Sequence, residues 1–169
     1  MQQVFEAAHY ASKAKGLGYP DQFQSMEGML EFLAYFRGAL VAYAKCFVSA
    51  GPGKMTLDES KVFQRNAAHM AMHKRLMDLR HKYVAHSDDN EIEKSLLVEE
   101  EGDSEVVVAL QYSFSFPFDR LYELCDAVSH LETYIVDGHA AAVKSLERQV
   151  GKPVRMRQVS NDNSEQGCP

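Results

Sequence analysis

Apolar side chains recur at helical spacing along four stretches of the chain and switch to strict alternation in one. Val4, Phe5, Ala8 and Ala11 repeat every three or four positions. This predicts a short helix over about Val4 to Lys15 on the edge of a bundle, halted by Gly16-Leu17-Gly18-Tyr19-Pro20. Asp21, with Gln24 three residues on, has the form of a capping box. Met26, Met29, Leu30, Leu33, Phe36, Leu40, Tyr43, Ala44 and Phe47 then predict a long amphipathic helix to about Ser49, closed by Gly51-Pro52-Gly53. Its methionines and rings read as core filling rather than a cofactor pocket. Thr56-Leu57-Asp58-Glu59 is a second capping box and opens a third helix, expected from Leu57 or Asp58 through Ala85 or His86.

Beyond the polar stop at Ser87 to Asn90 the period changes. Ser95 to Val98 is a short apolar run, Glu99 to Ser104 an acidic turn, and Val106 to Phe116 alternates. Val106, Val108, Leu110, Tyr112, Phe114 and Phe116 share one face, which predicts a β-hairpin laid against the helices. Ser115 and Pro117 announce a last long helix carrying Phe118, Leu121, Leu124, Cys125, Val128, Leu131, Ile135, Ala142, Val143 and Leu146, with a bend expected at Gly138 and an end at Gly151 and Pro153. The expected fold is mainly α, an up-and-down helical bundle with a β-hairpin inserted before the last long helix. Residues 1–151 form its single domain and residues 152–169 a flexible tail.

Composition narrows the class. A chain of 169 residues is long enough to bury one core. Cys46, Cys125 and Cys168 stand at unrelated spacings, which indicates neither a disulfide framework nor a zinc knuckle. No stretch has the ~18 apolar residues of a membrane span, so a soluble, cytoplasmic protein is expected. The net charge is −6, yet residues 58–87 carry six basic side chains (Lys61, Arg65, Lys74, Arg75, Arg80, Lys82) against Asp58, Glu59 and Asp78. Four of the seven histidines (His69, His73, His81, His86) lie there too. Such a local excess suits either a solvated helix face or contact with a polyanion.

Within that helix Arg80 sits among Leu76, Met77, Tyr83 and Val84, on the apolar side of the wheel, with His69 and His73 on the same stripe. A guanidinium aimed at a core face is costly unless it is paired or serves a site. Glu27 and Glu31 are the carboxylates expected as partners. Arg80, Tyr83 and His86, three residues apart, would form one ridge roughly 9 Å long in α geometry.

The string Leu-Arg-His-Lys-Tyr-Val-Ala-His-Ser-Asp, with Arg80, His81 and His86 near the end of an internal bundle helix and a strand pair before the last helix, resembles the HEPN superfamily, most closely its abortive-infection-like branch. The specific match covers about a dozen residues, and the helix order agrees over roughly 1–150. The resemblance implies a metal-independent endoribonuclease of toxin or phage-defence type whose site forms where two copies of the motif helix meet in a homodimer. It carries over Arg80, His81 and His86, with no metal and no cofactor. Arg80 suits holding a phosphate and its transition-state charge, and His86 suits proton transfer near neutral pH. His81, Tyr83 and His73 would support them. The rival class is a non-catalytic helical dimer that binds a nucleotide, RNA or a protein partner such as an antitoxin.

Three other patterns are weaker. His69 and His73 at i and i+4 match a metal-binding spacing, but Met70 stands where a zinc-protease helix has Glu, and no third ligand is evident. Gly51-Pro52-Gly53-Lys54 lacks P-loop spacing. Cys46 and Cys125 fall on apolar helix faces, where a thiol is usually inert.

Overall fold

In a computed structural model the structure describes residues 2–18, 25–48, 56–64, 66–85, 93–101, 106–114 and 118–155. The elements are α1 (Gln2–Gly16), α2 (Met26–Lys45), a single-turn α3 (Glu59–Val62), α4 (Ala67–Leu79), a π-helical turn (Arg80–Ala85), β1 (Glu93–Glu101), β2 (Val106–Phe114) and α5 (Phe118–Val150). The fold is mainly helical, with a two-stranded antiparallel hairpin before the last long helix. Backbone packing divides the chain into two compact units, Met1–Tyr134 and Ile135–Pro169.

The first unit is built around α2, whose Phe32, Leu33, Phe36, Leu40 and Tyr43 are buried. Ser25 caps it by accepting from the Gly28 N–H at 3.2 Å. The expected capping pair Asp21 and Gln24 lies outside the described residues. Helix α1 packs on α2 through Val4, Ala7, Ala11 and Ala14, not through the expected Phe5, which is 56% exposed. A row of alanines lets two backbones approach closely. At Gly38 of α2 an added Cβ would lie 3.2 Å from the Tyr10 ring, so glycine is what admits that ring. The first half of α5 closes the unit with Leu121, Leu124, Ala127, Val128 and Leu131, each large side chain contributing about 2 kcal/mol on burial. Phe118 stacks on Phe32 at 5.2 Å.

Two expectations are corrected here. The third helix is not continuous from Asp58. Asp58 caps only one turn, accepting from the Ser60 N–H at 3.0 Å. Phe63 then leaves helical geometry (φ −108°, ψ 11°) and Asn66 recaps the chain by accepting from the His69 N–H at 3.0 Å. Asn competes for backbone groups inside a helix and is among the best residues at its start, so a break is the local preference. The break also swings the Phe63 ring to within 5.1 Å of His73 and 5.5 Å of His130.

The second correction concerns the hairpin. Its register, Leu97 opposite Leu110 and Glu99 opposite Val108, keeps the expected alternation. Where its side chains are described, however, the hairpin lies open: Leu96 and Leu97, on opposite faces, are 61% and 70% exposed, and Val106, Val107 and Val108 are exposed as well.

In the second unit α5 continues through Gly138 to Val150. It stops at Gly151, whose φ of 68° needs glycine and whose N–H bonds the Glu147 carbonyl at 2.9 Å. No described helix is long and apolar enough to cross a membrane.

Candidate functional site

The end of α4 is where the polar chemistry gathers. The backbone N–H of Arg80 still bonds the Leu76 and Met77 carbonyls, so Arg80 keeps the phase of α4 while starting the π turn. Its side chain is half-buried, and its Nε is buried with no hydrogen-bond partner among the described residues. Neither Glu27 nor Glu31 pairs with it among the described residues; both carboxylates are exposed on α2. The expected internal ion pair is therefore replaced by a guanidinium whose buried Nε is unused among the described residues. π-Helical turns are rare and frequent at functional sites.

The π turn also changes the spacing expected of α geometry between Arg80 and Tyr83, because each N–H reaches one residue further back and the turn widens. Tyr83 is buried, its ring 6.4 Å from Phe36 and capped by the Arg37 guanidinium at 4.6 Å. His81 is exposed. His86 lies outside the described residues. Arg37 is a residue that the sequence reading missed, although the signal was present: it sits within the Leu33, Phe36 and Leu40 stripe of α2, the same anomaly that singled out Arg80.

Two turns upstream, His73 is 2% exposed and fully engaged. Its Nδ1 accepts from the Tyr43 hydroxyl at 2.8 Å and its Nε2 donates to Glu59 Oε2 at 2.9 Å, an arrangement that specifies the Nε2–H tautomer. Phe47 and Phe63 pack against the ring at 4.4 and 5.1 Å. Burial pushes the His73 pKa down, and the Glu59 carboxylate only partly offsets this. Burial likewise pushes the Tyr43 hydroxyl well above its ordinary value. His73 thus ties α2, α3 and α4 together; it and Tyr83 are covered by this chain's own residues.

His69 turns elsewhere. Its Nε2 faces Asp126 at 3.3 Å and its ring stacks on His130 at 4.6 Å, while Nδ1 is buried without a partner. His130 in turn bonds the Val62 carbonyl at 3.0 Å. The i, i+4 pair is therefore split between two networks, and no three His, Cys, Asp or Glu side chains converge as a metal site among the described residues. The thiols match their reading: burial raises Cys46 to about 11 and raises Cys125 also.

The basic excess of this stretch is partly neutralised. Arg75 binds Glu123 at 2.6 Å, with Arg120 on the same carboxylate at 2.9 Å, and Lys82 binds Asp78 at 3.0 Å. Burial raises the Glu123 carboxyl, but hydrogen bonds from Arg75 and Arg120 outweigh it and hold the pKa low. Lys74 and Arg80 form no ion pair among the described residues.

Beside His73 a cleft of about 300 Å³ opens between the end of α2, α3 and α4, lined by Phe47, Leu57, Glu59, His73, Lys74 and Met77. No family model matches the chain, and comparison with curated proteins and with solved structures found no match.

Proposed function

We propose that the protein is a metal-independent endoribonuclease acting as a dimer, of the toxin or phage-defence type that its HEPN-like motif suggests. The observation that carries this reading is Arg80: a half-buried guanidinium, on a π turn, with a buried Nε that no described residue satisfies. Leaving such a donor unmade costs about 1–3 kcal/mol, a cost that a bound phosphate would remove. In the proposed reaction the substrate's own ribose 2′-hydroxyl attacks the adjacent phosphorus and the 5′-oxygen leaves. The 2′-proton passes to a base and the leaving oxygen is protonated, with His86 exchanging these protons. Arg80 neutralises the charge gathering on the phosphorus oxygens, strengthened by its partly desolvated position. His81 positions substrate or the catalytic histidine, and Tyr83, buried under the π turn, acts only by holding that turn in place.

The test is cleavage of single-stranded RNA by purified protein in EDTA, with end analysis. The expected products carry 2′,3′-cyclic phosphate. His86→Ala and Arg80→Ala should each lose about a hundredfold or more, and binding should suffer more from the Arg80 change. Equal, negligible cleavage by wild type and His86→Ala, with nucleotide or partner binding retained, would instead establish the rival reading of a non-catalytic binding dimer.

A further inference from the structure

We infer that the cleft beside His73 is a nucleobase site that takes guanine, placing one base of an RNA or a free nucleotide within two helical turns of Arg80; the RNA part of this rests on the ribonuclease reading. The first support is placement. His73, Met77 and Arg80 are spaced i, i+4 and i+7 on one face of α4, and Arg80 keeps α phase through its bonds to Leu76 and Met77. Met77 therefore precedes Arg80 along the axis by about 4.5 Å and Lys74 by about 9 Å. A base held between Lys74 and Met77 has its own phosphate within reach of the guanidinium.

The second support is the chemistry of the lining. The cleft, about 300 Å³, lies at the small end of ligand sites and suits one planar heterocycle rather than a larger cofactor. Phe47, Leu57 and Met77 supply apolar walls, one of them aromatic, as unstacked RNA bases require. Glu59 is half-exposed at the cleft, and the buried His73 fixes its carboxylate through Oε2 at 2.9 Å. A carboxylate is acceptor-only, with about four lone-pair sites, so the His73 bond leaves others for a ligand. Lys74, exposed on the same lining, is donor-only.

An acceptor beside a cationic donor selects among base edges. Guanine offers two adjacent donors, N1–H and the N2 amino group, followed by the O6 acceptor. Glu59 can take both donors and Lys74 the oxygen. Adenine places the N1 lone pair against the carboxylate, cytosine does the same with N3, and uracil offers one donor flanked by two carbonyls. Only guanine presents no repulsive contact to Glu59.

The experiment measures binding of GMP, IMP, AMP, CMP and UMP to the full-length protein by calorimetry, and maps cleavage positions on an RNA of mixed sequence. GMP should bind about tenfold or more tighter than AMP, the discrimination that one bidentate edge contact supports. IMP, lacking the N2 donor, should fall several-fold below GMP without any change to the protein. Glu59→Gln, which still accepts from His73 but opposes the donor pair with a single oxygen, should reduce GMP to the level of AMP. Equal binding of all five nucleotides, equal GMP and IMP affinity, or a GMP preference untouched by Glu59→Gln in a protein that melts normally would overturn the assignment. Cleavage after every base alike would overturn it while leaving the ribonuclease reading intact. Guanine preference that depends on Glu59, in a protein that cuts no RNA, would uphold the site and remove the nuclease.

Discussion

His73 and Arg80 stand seven residues apart on one helical face, yet the fold treats them in opposite ways. His73 is almost wholly buried with both ring nitrogens bonded, one to Tyr43 and one to Glu59. Arg80 is only half-buried, and its buried Nε has no partner among the described residues. A buried polar group that is completely satisfied rigidifies its surroundings. One left incomplete subtracts from stability, and its persistence points to a ligand. The upstream residue reads as the scaffold's hinge pin and the downstream one as the working group.

Three measurements sharpen or break that contrast. The largest effect is expected from His73→Ala, which opens a cavity among Phe47 and Phe63 and strands the Tyr43 hydroxyl. Equilibrium urea unfolding should report a loss of about 3 kcal/mol, and a loss below about 1 kcal/mol would deny His73 its structural role. Next comes pH. Burial depresses the folded-state pKa of His73, so the unfolded chain binds the proton first. The stability contributed by the neutral ring is complete above the unfolded value of about 6.5 and is lost as pH falls below it toward the folded value. His73→Gln should flatten that part of the acid limb; an unchanged slope would place the sensitivity elsewhere. The smallest effect belongs to Arg80→Met, which keeps the stem and removes an unsatisfied donor. Stability should stay within about 0.5 kcal/mol of wild type or rise. A drop above about 2 kcal/mol would reveal an internal partner and undercut the functional reading of Arg80.

Much of the architecture was legible in the residues. The spacing from Leu33 to Tyr43 dictates α2, the alternation from Val106 to Phe114 dictates β2, and Gly151 ends α5, because each is a local rule of period or backbone sterics. Arg80 was legible for a similar reason: a charge inside an apolar stripe stands out in one dimension. Arg37 obeys the same rule on α2.

What the chain alone could not yield is which stripe meets which. Phe5 and Leu30 look as apolar as their neighbours, but α1 docks through alanines, and both are exposed. Glu59 reads as a first-turn residue of an unbroken helix, and only the break at Phe63 to Asn66 brings its carboxylate onto His73, fourteen residues away. Tyr43, thirty residues distant, joins the same ring from α2. Local periodicity specifies elements because its forces act within a turn or two. The Tyr43, His73 and Glu59 network, the cleft beside it and the unsatisfied Nε of Arg80 arise from packing between segments far apart in the chain, and only the tertiary structure decides them.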